Sequence, residues 1–154
     1  MNNKTKKYVS AVAIGIITVI FILLGIRPMI VMSGSMEPDI KTGSLVFVNT
    51  KAEFSKIRVN DVITYRLLDS YITHRVTEIT EHGLKTKGDA NGTEDFGIIT
   101  EKNFYGKKTG YIPYAGYILF YLKKNLILII AAVITVDLSC KSARYALHKL
   151  EVFK

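Results

Sequence analysis

Two serines flank a glycine in the segment Ser33-Gly34-Ser35-Met36-Glu37-Pro38. Glycine lets such a loop turn tightly and leaves a backbone N–H free to face a ligand, while the proline stiffens the exit. Nucleophilic acyl transfer needs an exposed hydroxyl on a constrained loop, with an N–H nearby for the developing oxyanion. Most Ser-Gly-Ser tripeptides are plain loops, so the segment gains weight only if a base and a carboxylate accompany it.

A serine hydroxyl needs a base, and the chain has 3 histidines. His148 follows the C-terminal apolar run and falls on the far side of a membrane in the topology developed below. His82 sits in the turn Glu81-His82-Gly83, where a solvated side chain is the default. His74 is in mid-strand, on the face that Tyr71–Thr80 shares among Ile72, Val76 and Glu78. Such a histidine is commonly a half-buried core residue. The hairpin changes its standing: a turn that pairs Thr80 with Leu84 sets His74 opposite Ala90 and Arg75 opposite Asp89. With this turn or one a residue tighter, the stretch Lys87-Gly88-Asp89-Ala90-Asn91 is carried alongside His74 within about two residues. Asp95 follows on a short loop, so a carboxylate is available to orient the imidazole. Taken singly, Asp89 reads as a turn former and Asp95 as a solvated loop acid. His74, His82 and Asp89 lack a compact metal-ligand spacing, and neither metal nor cofactor is expected.

These residues must be positioned by a chain of 154 residues with a net charge of +8. The apolar residues gather at the two ends, and the basic excess lies mostly beside them: residues 1–26 carry +3, residues 27–124 another +3 and residues 125–154 the remaining +2. That pattern fits a membrane protein and not a nucleic-acid-binding face. The single Cys140 excludes an intramolecular disulfide and any CxxC motif. Residues 1–7 read as a basic cytoplasmic segment containing Lys4, Lys6 and Lys7. Residues 8–26 (YVSAVAIGIITVIFILLGI) are uncharged and, as a helix, long enough to cross a bilayer. A cleavable leader fits less well, because the small-x-small tripeptide Ala11-Val12-Ala13 precedes the apolar core and the run is already long enough to span. Residues 27–116 read as a β-rich extracytoplasmic domain with strands at Ser44–Asn49, Val62–Leu67, Tyr71–Thr80 and Leu84–Lys87. Residues 117–138 read as a second membrane-embedded or interfacial helix, and residues 139–154 as a basic cytoplasmic tail. The fold class expected is therefore a mainly β exported domain with an N-terminal transmembrane helix and a C-terminal membrane helix. Ser35 lies only eight residues beyond Arg27, at most ~26–29 Å of extended chain, so any substrate of it must be presented near the bilayer surface.

An apolar anchor, then SGSMEP, THRV, KGDAN followed by GTED, and GYIPYAGY before an apolar tail: in this order the motifs resemble the type I signal peptidases. His74-Arg75 at the base position is similar to the histidine subgroup of the endoplasmic reticulum, archaea and some Gram-positive bacteria, as opposed to the Ser–Lys subgroup. The resemblance implies Ser35 as nucleophile, His74 as general base and Asp95 as the orienting carboxylate. Asp89 takes a supporting role, and the two acids are interchangeable at this level of reading. It implies that the Ser35 N–H and Ser33 stabilise the oxyanion, and that substrate lies extended beside Ile30–Gly34, so that Met32, Ser33 and Gly34 line its path. The loop reads GDAN where the family has GDNN, and Glu94 stands where a second acid often does. The expected activity is cleavage of signal peptides from exported preproteins by a serine endopeptidase of the cell membrane, or of the endoplasmic reticulum membrane in a eukaryote. The sequence leaves accessory membrane subunits open. An inactive relative serving as a binding or scaffolding subunit is the alternative, against which the intact Ser35/His74/Asp set argues.

Overall fold

The computed structural model describes residues 2–152. Its elements run α1 (Asn3–Leu23), β1 (Ile26–Ile30), β2 (Leu45–Asn49), β3 (Val62–Leu67), β4 (Ser70–Thr80), β5 (Gly83–Lys87), β6 (Phe104–Ile112), α2 (Ala115–Lys124) and α3 (Leu126–Val152). The chain divides into two compact units, residues 1–117 and 118–154.

The first unit is built on one antiparallel sheet of six strands in the order β1-β2-β6-β3-β4-β5. The mainly β reading is thus borne out. Val62–Leu67 forms a strand with the expected bounds, and the neighbouring strands begin or end within a residue of expectation. The sequence reading assigned no strand to β1 or β6. Ile26, the last residue of the N-terminal apolar run, opens β1, because Gly25 with φ of +72° turns the chain out of α1. A side chain there would be strained by that φ, and its Cβ would stand 2.7 Å from the Lys51 side chain, which would have to shift. β6 is rich in lysine, glycine and threonine, yet lies centrally, between β2 and β3.

Two apolar clusters lie against this sheet. One joins Ile57, Ile63, Tyr65, Val76, Leu84 and Ile99. The other joins Val46, Val48 and Val62 to Met36 and Ile40, which come from the loop between β1 and β2. Met36 directly follows Ser35, so burial of its side chain pins the backbone of the candidate nucleophile to the core.

Of the two turns expected from sequence, the hairpin between β4 and β5 takes the tighter one. Thr80 pairs with Gly83, and an irregularity between Val76 and Glu78 shifts the register once more, so that Arg75 faces Lys87. Gly83, with φ of +140°, packs closely against Ile99, and a Cβ there would lie 2.3 Å from the Ile99 carbonyl oxygen. The bulge removes one residue from the pairing ladder and brings the end of β5 further back along β4.

In the second unit, α3 carries an apolar stretch, Leu126–Tyr145, of 20 residues. At a rise of about 1.5 Å per residue it is long enough to cross a bilayer core of roughly 30 Å. Asp137 and Lys141, one turn apart, pair at 2.6 Å within it. Tyr8–Leu23 of α1 is a shorter apolar stretch.

Charge pairs fasten the strands at their edges. Lys107 on β6 meets Asp61 Oδ2 at 2.7 Å, and the Arg58 N–H donates to the same oxygen at 2.9 Å. Partial burial opposes ionisation of Asp61, but the hydrogen bonds and the charges of Lys107 and Arg58 outweigh it and hold the carboxyl below its ordinary value of 3.8. A carboxyl depressed by folding contributes stability that is present above the unfolded-state value and is lost as pH falls through the folded-state value. Denaturant titrations at a series of pH values are expected to show stability declining below about pH 4. Asp61→Asn should flatten part of that decline and cost about 1 kcal/mol near neutrality.

Candidate active site

Ser35 sits in the turn that follows β1, His74 in the middle of β4 and Asp95 on the loop after β5. The structure brings them into one line. His74 Nε2 stands 3.0 Å from Ser35 Oγ, and His74 Nδ1 stands 2.6 Å from Asp95 Oδ2. A carboxylate only accepts, so Nδ1 carries the imidazole proton and Nε2 is left as the acceptor for the serine hydroxyl. His74 is buried, with 7% of its surface exposed, so its two hydrogen bonds replace the water it has lost.

Each partner is held by the backbone that bears it. The Asp95 N–H donates to Thr86 O at 2.8 Å, tying the loop to β5. Asp95 Oδ2 also accepts from Thr86 Oγ1 at 2.6 Å and from the Tyr65 hydroxyl at 3.0 Å. Ser35 is fixed by its carbonyl, which accepts from the Ala90 N–H at 2.9 Å. Gly88 allows this close approach: a Cβ there would lie 2.6 Å from Ser35 O. Behind Ser35 the turn closes through Glu37 N–H to Gly34 O and Ile40 N–H to Met36 O. Glu37 Oε1 accepts from the backbone and the hydroxyl of Thr42, which hold its carboxyl below the usual range.

Asp89 does not reach His74. Its two oxygens accept from Arg75 Nε and Nη2 at 2.8 and 2.7 Å. The tighter hairpin register explains this: β5 ends beside Arg75, and the 88–91 turn swings Asp89 onto the Arg75 side chain in place of the backbone pairing expected. Arg75 Nη2 also donates to Asp39 at 2.9 Å, and Lys108 reaches the same Asp39 oxygen at 3.2 Å. The hydrogen bonds that Arg75 donates to Asp89, with Asp39 beside it, raise the Arg75 guanidinium well above its usual range despite partial burial. Partial burial opposes ionisation of Asp39, yet Lys108 and Arg75 keep it below its ordinary value. The network ties together the loop that bears Ser35 and Asp39, β4, β6 and the 88–91 turn, and does not join the Ser35–His74–Asp95 line.

Ser33 Oγ lies 3.2 Å from Ser35 Oγ. Met32, Ser33 and Ser35 border a cleft of about 410 Å³ whose floor and walls include Val31, Val46 and Ile72. Gly34 is exposed between the two serines, and Met32 is exposed at the rim. His82 is an exposed turn residue, and the side chain of His148 lies outside the described residues. Among the described residues no three His, Cys, Asp or Glu side chains cluster as a metal would require. The sequence reading missed Tyr65, Thr86 and Asp39. Tyr65 was accessible in principle, since it alternates with Ile63 on the strand that faces His74, whereas Asp39 meets Arg75 only through tertiary folding.

No protein-family model matches the chain. It is 37% identical over 86 residues to signal peptidase I W of Bacillus subtilis, covering 53% of this chain and 45% of that protein. It is 34% identical over 113 residues to the signal peptidase complex catalytic subunit SEC11 of Zygosaccharomyces rouxii, covering 62% of this chain and 65% of that one. With the SEC11 subunit of Debaryomyces hansenii the figures are 33% over 114 residues, 63% and 66%. The chain therefore spans about half to two thirds of the length of these curated relatives. With bacterial and yeast signal peptidases both aligning at this level, the chain belongs to the type I signal peptidase family.

Proposed function

We propose that this chain is a membrane-anchored serine endopeptidase that removes signal peptides from preproteins by acyl transfer, with Ser35 as nucleophile, His74 as general base and Asp95 as its orienter. One observation carries the reading: His74 lies within hydrogen-bond reach of both Ser35 Oγ and Asp95 Oδ2. In the first step Nε2 takes the Ser35 proton as Oγ attacks the scissile carbonyl. The Ser35 N–H and the Ser33 hydroxyl receive the oxyanion. His74 then gives the proton to the leaving amine and afterwards draws one from water, which hydrolyses the acyl-enzyme and restores Ser35. Asp89, held by Arg75, supports the loop and does not take part in proton transfer.

The cleft suits an extended peptide. β5 pairs with β4 only from Arg75 onward, so among the described residues Tyr71–Thr73 have no strand partner on that side, and β1 is an edge strand. A substrate strand entering between Met29–Ser33 and Tyr71–Thr73 has backbone groups to pair with along its path. The mostly apolar walls favour small uncharged side chains next to the scissile bond. The apolar stretches of α1 and α3 serve as anchors in the bilayer, with the basic N-terminus on the cytoplasmic side and the β unit on the opposite face, where preproteins emerge.

Purified full chain in liposomes is expected to process a model preprotein. Ser35→Ala and His74→Ala should each lower the rate by roughly 10³-fold or more, with unchanged circular dichroism. Processing by a folded Ser35→Ala protein at the wild-type rate would remove the proposed nucleophile. Gly88→Ala should push Ser35 from His74 and cut the rate by about 10²-fold, the cost of a misplacement near 1 Å. Single-turnover rates measured with saturating enzyme would show this loss.

A further inference from the structure

Three donors converge on one carboxylate oxygen. Asp95 Oδ2 accepts from the His74 Nδ1–H, from Thr86 Oγ1 and from the Tyr65 hydroxyl, and the Asp95 side chain is 14% exposed. Tyr65 is almost wholly enclosed, and its ring meets the His74 ring edge-on with centroids 6.4 Å apart. Resting on the acyl-transfer reading above, we propose that Tyr65 is a positioning residue: by donating to Asp95 Oδ2 it fixes that oxygen and limits how strongly it draws the His74 proton, thereby setting the pH range of activity.

The physical basis is competition for one acceptor. Each hydroxyl that donates to a carboxylate oxygen spreads its charge and weakens it as a partner for the next donor. A base of this kind has to be neutral to accept the serine proton, so an orienting carboxylate with too strong a pull would keep the imidazole protonated and idle at lower pH. Tyr65 can act in this way because burial, chiefly, pushes its phenol up to about 12, so it remains a donor through the working range. The charged side chains on the surrounding elements are engaged elsewhere. On β4, Arg75 is bound to Asp89 and Asp39, and Glu78 to Lys85 of β5. Lys87 reaches Gly92 O, and Glu94 accepts from Thr77. On β3, Arg66 donates to Leu68 O, and in the nucleophile loop Glu37 accepts from Thr42. The two neutral hydroxyls of Tyr65 and Thr86 are thus the groups that modulate the Asp95–His74 contact.

The test is the pH dependence of kcat/KM for a model preprotein, measured on the full chain in liposomes for wild type, Tyr65→Phe, Thr86→Val and Ser35→Ala. Phenylalanine keeps the ring in its apolar cluster and removes only the donor. Tyr65→Phe should move the acid limb to higher pH by about half a unit, so that activity on that limb drops about threefold more than on the plateau. Thr86→Val should move it in the same direction, and it carries the test alone if Tyr65→Phe does not fold. An unmoved acid limb with the rate merely scaled down would overturn the positioning role and leave the acyl-transfer reading standing. Undiminished activity in Ser35→Ala would instead overturn that reading and the proposal with it.

Discussion

The site depends on an imidazole removed from water. His74 has lost nearly all its solvent, and the hydrogen bonds to Asp95 and Ser35 replace those that water made. An imidazole placed there without Asp95 would have no fixed tautomer, and without Ser35 its Nε2 would be an unsatisfied buried acceptor. The alignment therefore stabilises the sheet around it as well as setting up its chemistry. The three residues come from separate places in the sequence, so their meeting requires that the sheet close correctly first.

Most of the surrounding structure acts to hold the Ser35 loop still. Met36 and Ile40 anchor it by burial, the Ala90 N–H holds the Ser35 carbonyl, and Asp39 is clamped by Arg75 and Lys108. These restraints come from the core, from β4, from β6 and from the turn after β5. A loop held from four directions has little further freedom to lose on binding, which is the preorganisation the proposed acyl transfer would draw on. Gly88 shows how narrow the fit is, since one methyl group there would collide with the Ser35 carbonyl.

Local pattern carried much of this into the sequence. The alternation in Tyr71–Thr80 shows a strand with His74 on the same face as Ile72 and Val76, and the Glu81–Gly83 turn brings the Asp-bearing loop back beside it. The apolar run after Leu126 is legible by composition alone, and α3 bears it. Other features depend on tertiary context. β6 lacks the alternating apolar residues that mark a strand, because its position in mid-sheet is imposed by β2 and β3. The hairpin register slipped because a bulge at Val76–Glu78 leaves no mark in residue type. Thus Asp89 was expected across from Arg75 in the ladder and instead reaches it through its side chain. Tyr65, which looks like a core aromatic, has a hydroxyl whose partner lies 30 residues away.

Ser35 and His74 acting as one unit is the central claim, and the double variant tests it most directly. Groups that share one proton transfer lose their effect together, so removing the second costs almost nothing once the first is gone. In single-turnover cleavage of a model preprotein by folded proteins, Ser35→Ala, His74→Ala and the double variant should share one residual rate. A double variant slower than either single by the product of their separate losses would mean that the two side chains act independently, and would contradict the account.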